Sequence, residues 1–193
     1  MLEGVNIGVA LTGSFCTIQE TLKEIENIKN MGANIVPIVS EHVRTMDTRF
    51  GKASDIVKRL EDISGKKVIS SITEAEKIGP QKLFEIMLIA PCTGNTMAKL
   101  ANSIIDTTVT MAAKAHLRNQ RPLVLSIATN DGLGNSACNI GKVLNLKNVY
   151  LVPFGQDNYD KKPNSLVAKS NLIAQTLDEA LKGRQIQPII EHF

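Results

Sequence analysis

Residues 86–101 read IMLIAPCTGNTMAKLA. Ile86 to Ala90 is a wholly apolar run, and Pro91-Cys92-Thr93-Gly94 breaks it sharply. Beyond the break, Met97, Leu100 and Ala101 recur at helical spacing. An apolar run with no polar alternation is a strand covered on both faces, as in a parallel sheet. The same grammar repeats outward. Val5 to Leu11 is a branched apolar run closed by Thr12-Gly13-Ser14, then Phe15, Ile18, Leu22, Ile25 and Ile28 mark a helix that Gly32 ends. Ile35 to Val39, Leu123 to Ala128 and Val149 to Val152 read as further strands, with Val68 to Ile69 as a short one. Ala53, Ile56, Val57, Leu60 and Ile63 form a helical stripe. Asp106 is placed to cap a helix carrying Val109, Ala112, Ala113 and Leu117. Cys138 to Leu144 reads as a short helix, and a last helix carries Leu166, Ile173, Leu177 and Leu181. Alternating strands and helices predict one three-layer α/β domain over residues 1–193, a Rossmann-like or flavodoxin-like parallel sheet with helices on both faces.

Composition narrows the function. Lys and Arg number 22 against 19 Asp and Glu, a net charge of +3, and aromatics are 4% with no Trp. Neither a nucleic-acid footprint nor a stacking platform follows from that balance. No apolar stretch nears the ~20 residues of a membrane span. The N-terminus has no positive region before its apolar run, so it does not read as a signal peptide. The three cysteines, at 16, 92 and 138, form no disulfide framework and fit a reducing, cytoplasmic setting. His42, His116 and His192 share no metal-ligand spacing, so no metal is expected.

Ligands of such sheets sit at the carboxyl ends of the strands. That singles out loops 12–16, 40–51, 91–96 and 129–137. Gly13 and Ser14 offer free N–H groups and a hydroxyl at a helix start, a setting for a phosphate or for a plain glycine turn capped by Ser14. Pro91, Cys92, Thr93, Gly94, Asn95 and Thr96 combine a thiol, hydroxyls, an amide and a glycine that admits close approach. Thr93 or Asn95 could equally cap the next helix. Arg44 and Arg49, near Asp47 and His42, suit a carboxylate-bearing substrate. Gly132-Leu133-Gly134-Asn135-Ser136-Ala137 matches GxGxxA, with Asp157 twenty residues on, so it reads as either a dinucleotide fingerprint or a turn-rich polar loop.

Two stretches carry a resemblance. Gly8 to Ser14 and Pro91 to Asp106 are similar to the flavoprotein family that includes the flavin-containing cysteine decarboxylases. That likeness implies a Rossmann-like fold, FMN held between subunits, and a homo-oligomer. It also implies cofactor contacts from Gly13, Ser14, Phe15, Ser40, Pro91, Cys92, Thr93, Gly94 and Thr96, with Asn95 in the catalytic role. The family's decarboxylases carry a His-Ile pair before this strand; residues 78–84 here contain no histidine, which counts against a stand-alone FMN decarboxylase. Within the family, residues 130–137, 139–142 and 150–157 resemble the B-subunit of the two-component dipicolinate synthases of spore-forming bacteria. That implies one component of an oxidoreductase, making pyridine-2,6-dicarboxylate with an A-subunit that carries NADP. Arg44, Arg49 and Lys142 are the expected cations for the dicarboxylate. A non-catalytic scaffold for the A-subunit is the remaining alternative.

Overall fold

The computed structural model describes residues 2–191. Its parallel strands are β1 (Asn6–Leu11), β2 (Asn34–Val39), β3 (Ile86–Thr93), β4 (Leu123–Thr129) and β5 (Val149–Leu151). They lie side by side in the order β2-β1-β3-β4-β5. That is the flavodoxin-type order, whose topological switch falls between β1 and β3. β3 and β4 are buried along all but their last residue, as their largely apolar sequences require, with Ser126 of β4 the buried polar exception.

The helices are α1 (Phe15–Asn30), α2 (Glu41–Thr45), α3 (Ala53–Ser64), α4 (Ile72–Glu76), α5 (Ile78–Gln81), α6 (Gly94–Ala101), α7 (Thr108–Leu117), α8 (Ala137–Leu144) and α9 (Ile173–Leu181). α1 packs with α9, while α7 packs over β2, β3 and β4 with α4 and α5 beside it. In α1, Ile18, Leu22, Ile25 and Ile28 are buried at the expected spacing. Gly32 follows with a φ of +90°, the left-handed residue that stops the helix.

Several local expectations are corrected. The sheet is not wholly parallel. β6 (Phe154–Gly155) and β7 (Leu166–Ala168) form an antiparallel pair, and β7 runs antiparallel along the end of β4. β5 reaches only Leu125, so β7 covers the edge of β4 that β5 leaves open. Leu166 therefore belongs to a strand, and the last helix begins at Ile173. Ile69 makes only an isolated bridge to Ile38. Thr107, not Asp106, caps α7, in a capping box with Thr110.

One close approach can be tested. A Cβ on Gly8 would lie 2.5–2.6 Å from three ring carbons of Phe84. Phe84 is fully buried and its ring stacks 4.9 Å from that of His116, so it has nowhere easy to go. Gly8→Ala should cost about 1–3 kcal/mol as overpacking. Thermal melts should show a drop of roughly 2–12 °C, and an unchanged Tm would mean that the ring is not confined.

Candidate functional site

The switch point is built by a bulge. β3 spends three steps, Ile89 to Cys92, where β4 spends two, Leu125 to Ile127. Pro91 sits in this bulge after a cis peptide bond. The buried Thr12 hydroxyl spans from β1 into it, donating to the Pro91 carbonyl at 2.6 Å and accepting from the Thr93 N–H at 3.0 Å. Thr12 thereby fixes the spacing between the Gly13-Ser14 turn and the loop that starts α6. The two loops converge at one end of the sheet.

A cleft of about 340 Å³ opens there, walled by Gly13 and Phe15 after β1, Ser40 and His42 after β2, and Asn95 and Thr96 at the start of α6. Thr93 caps α6 by accepting from the Thr96 N–H at 3.2 Å. Ser40 caps α2 through Val43. Asn95 caps nothing. It is exposed, and its amide has no hydrogen-bond partner among the described residues. At the start of α1, Ser14 makes no side-chain cap and the first turn carries no acidic residue. The positive end of a 16-residue helix is thus left uncompensated beside the cleft. Lys99, one turn after Asn95, also lines the cleft. Its ammonium grips both Asp106 oxygens at 2.6 and 2.7 Å and holds that carboxyl below its ordinary range.

On the other side of the Gly13-Ser14 turn lies a second cleft, of about 310 Å³. Ser14, Thr17, Asn130, Asp157, Lys162 and Lys169 are among its walls. The β6–β7 hairpin builds its outer side.

The sequence and the fold are matched by known proteins. A family model described as Flavoprotein matches residues 1–176. The chain belongs to the Flavoprotein family. It is 48% identical over 189 residues to the B-subunit of dipicolinate synthase from Bacillus subtilis (strain 168), across 98% of this chain and 94% of that protein. The crystal structure of the dipicolinate synthase B-subunit from Bacillus halodurans superposes with a TM-score of 0.91 at 42% identity, covering 99% of this chain and 98% of that one. DmrB of Burkholderia xenovorans in complex with FMN gives a TM-score of 0.67 at 16% identity, over 93% and 96% of the two chains. At that identity the likeness to DmrB is one of fold.

In this Flavoprotein chain, the residues expected to hold a cofactor are only partly gathered. Gly13, Phe15, Ser40, Thr93, Asn95 and Thr96 share the first cleft, and Ser14 faces the second. Cys92 has its side chain in the core, where burial pushes the thiol up to about 12; it stays protonated and is no nucleophile. Gly94 serves packing, since a Cβ there would come within 2.7 Å of the Thr129 hydroxyl.

The three expected substrate cations line neither cleft. Arg44 pairs with Glu41 at 2.9 Å on a neighbouring groove. Arg49 stacks 4.8 Å over Phe50. Lys142 donates to Asn102 at 2.7 Å where α8 meets α6. The glycines of the GxGxxA match are closed in by neighbouring side chains. A Cβ on Gly132 would strike Leu166 at 2.7 Å, and one on Gly134 would strike the Asp131 carboxylate. Both are small because the loop folds onto β7 and onto itself. Among the described residues, no three His, Cys, Asp or Glu side chains gather as a metal site, and no helix is long and apolar enough to cross a membrane. His192 lies outside the described residues.

Sequence reasoning misses Thr12, Lys99 and the second cleft. Lys99 is legible in principle, because i and i+4 share a helix face and Asn95 is already a candidate. Lys162 and Lys169 are not, since only the short β6–β7 hairpin brings them beside α1.

Proposed function

We propose that this chain is the flavin-holding component of a dipicolinate-forming oxidoreductase, working together with an A-subunit that carries NADP. The observation that carries this reading is the 48% identity, along 98% of the chain, to a protein named as the B-subunit of that synthase. The chemistry of the first cleft supports the flavin part. Hydroxyls from Ser40, Thr93 and Thr96, the N–H groups of a helix start and an unpartnered amide suit a phosphate and a flavin edge.

Forming an aromatic pyridine from a dihydropyridine removes a hydride and a proton. FMN, when bound, supplies a two-electron acceptor. The chain's own residues do the rest. The Gly13-Ser14 turn and the Ser40 and Thr96 hydroxyls hold the phosphate. Asn95 orients the ring edge by donating one hydrogen bond and accepting another. Phe15 and Met46 supply apolar wall to the cleft. Thr12 keeps the two loops in register.

Assembly belongs to the same reading. Residues 97–117 are rich in small and apolar residues, and Ile104 among them is 47% exposed. A homo-oligomer that covers this segment is expected, and light scattering at micromolar concentration should detect it. Three unpaired cysteines suit a reducing cytoplasm.

The test mixes the purified chain with the A-subunit, dihydrodipicolinate, FMN and NADP, and follows the ultraviolet absorbance of the product. Product should form only when both components are present, and the chain should purify yellow or turn yellow with FMN. Full activity with a chain that takes up no flavin would instead favour the scaffold reading. Full activity without this chain would overturn the proposal.

A further inference from the structure

A phosphate monoester such as that of FMN carries close to two negative charges at neutral pH. Among the described residues, no uncommitted lysine or arginine lines the first cleft to meet them. Lys99 is tied to both Asp106 oxygens at 2.6 and 2.7 Å. The one other basic side chain in the wall is His42. We infer that His42 is the cation of this cleft, taking up a proton when FMN binds and so favouring FMN over riboflavin, which lacks the phosphate. This rests on the proposed flavin role and adds which residue meets the phosphate charge.

Three observations carry it. The first is place. The Gly13-Ser14 turn and Ser40 are the proposed phosphate contacts, and His42 stands two residues after Ser40. A Cβ built on Gly13 would lie 3.5 Å from the His42 Cβ, so the imidazole rises from the chain beside that turn. The second is availability. His42 is exposed and lines the cleft, and its ring has no hydrogen-bond partner among the described residues. Neither ring nitrogen has to leave a partner to reach a phosphate oxygen. The third is the balance of charge around it. β1 and α1 bring no charged side chain to the cleft wall, and neither does α3, which packs on α2. α2 brings Glu41, which Arg44 holds at 2.9 Å, and α6 brings Lys99, which Asp106 holds. Each of these charges is already matched, so a bound dianion is the group left to set the protonation of His42.

Proton linkage gives the sign. Imidazole is the side chain whose charge ordinarily changes between pH 5 and 8. A phosphate beside it favours the charged form, so binding on the alkaline side of neutrality takes up a proton. Affinity for FMN therefore rises as pH falls from 8.5 to 6.5. Near pH ~6 the phosphate itself begins to gain a proton, and the rise ends there. Riboflavin offers no such partner, so its affinity has no matching slope.

The test titrates FMN and riboflavin into the full chain by flavin fluorescence at pH 6.5, 7.5 and 8.5, where buried His116 is neutral. The native chain should bind FMN roughly three- to fivefold more tightly at pH 6.5 than at 8.5, the scale of one solvent-exposed charge pair. His42→Gln and His42→Asn should match the native affinity at pH 8.5, lose the slope, and keep Tm within a few degrees. In proton NMR of the native chain, the imidazole signal that both variants lack should titrate at higher pH once FMN is added. FMN binding that is flat with pH in the native chain, an equal slope in the His42 variants, or an equal slope with riboflavin would each overturn the inference and leave the flavin reading standing. Absence of FMN binding at every pH, in the native chain and the variants alike, would overturn the flavin reading and this inference with it.

Discussion

Asn95→Asp is expected to leave the protein as stable as before and to remove most dipicolinate formation in the mixture with the A-subunit. The stability half follows from geometry. Asn95 is the second residue of α6, Thr93 does the capping, and the Asn95 side chain is exposed. A carboxylate at that place meets the positive end of the helix and is worth about 0.3–1 kcal/mol in favour of folding. Tm should therefore hold or rise by a few degrees. The activity half follows from chemistry. Aspartate keeps the acceptor, loses the donor and adds a charge beside an anionic ligand. Loss of such a hydrogen bond, about 1.5–3 kcal/mol, corresponds to roughly 10- to 100-fold in rate, with the added repulsion on top. FMN affinity should fall in parallel. A variant with native activity would make Asn95 a surface residue of α6 and nothing more.

The second large effect is on stability against pH. His116 is buried, donates through Nε2 to the Pro122 carbonyl at 2.9 Å and stacks on Phe84. Burial pushes its pKa down to about 4, with the charge of Arg121 acting in the same direction against the Pro122 bond. Unfolding restores an ordinary value of ~6.5, so between the two values the unfolded chain binds the extra proton. Stability from this group is complete above pH ~6.5 and is lost as pH falls towards 4. The slope approaches ~1.4 kcal/mol per pH unit, and the whole window is worth about 3 kcal/mol. Denaturant melts at pH 7, 6 and 5 should show the loss. His116→Gln should be less stable at pH 7 and nearly flat across the same window. Parallel curves for the two proteins would locate the pH response elsewhere. The carboxylates held lowest, Asp178 and Glu179 at about 2 beside Lys182 and Arg184, lose their contribution mainly below pH 4.5, beneath the pH 5–7 range of these melts.

The parts of the fold that can be read ahead share one physical origin. A strand buried on both faces is apolar at nearly every position, and β1, β3 and β4 show themselves in that way. The turns that end β1 and β3 are equally plain, because glycine and proline leave few backbone choices. What stays hidden is short or depends on direction. β6 and β7 are two and three residues long, too short for any period to show, and Leu166 falls by chance on the helical stripe of α9. A loop position after a strand says that a side chain is near the carboxyl face, not which way it points. Arg44 and Arg49 illustrate this, since each is taken by a neighbour in its own loop, Glu41 and Phe50. Gly132 and Gly134 show the same limit for motifs, because glycines selected for packing on Leu166 and Asp131 spell the same letters as glycines selected for a pyrophosphate.

The most direct measurement is a crystal structure of the chain grown with FMN. The proposed function predicts flavin density in the cleft between β1 and β3, with the phosphate on the Gly13-Ser14 turn and Ser40 and the ring edge within hydrogen-bond reach of Asn95. Flavin bound elsewhere on the chain, or an FMN-free cleft at saturating concentration in a crystal where that cleft is open to solvent, would contradict it.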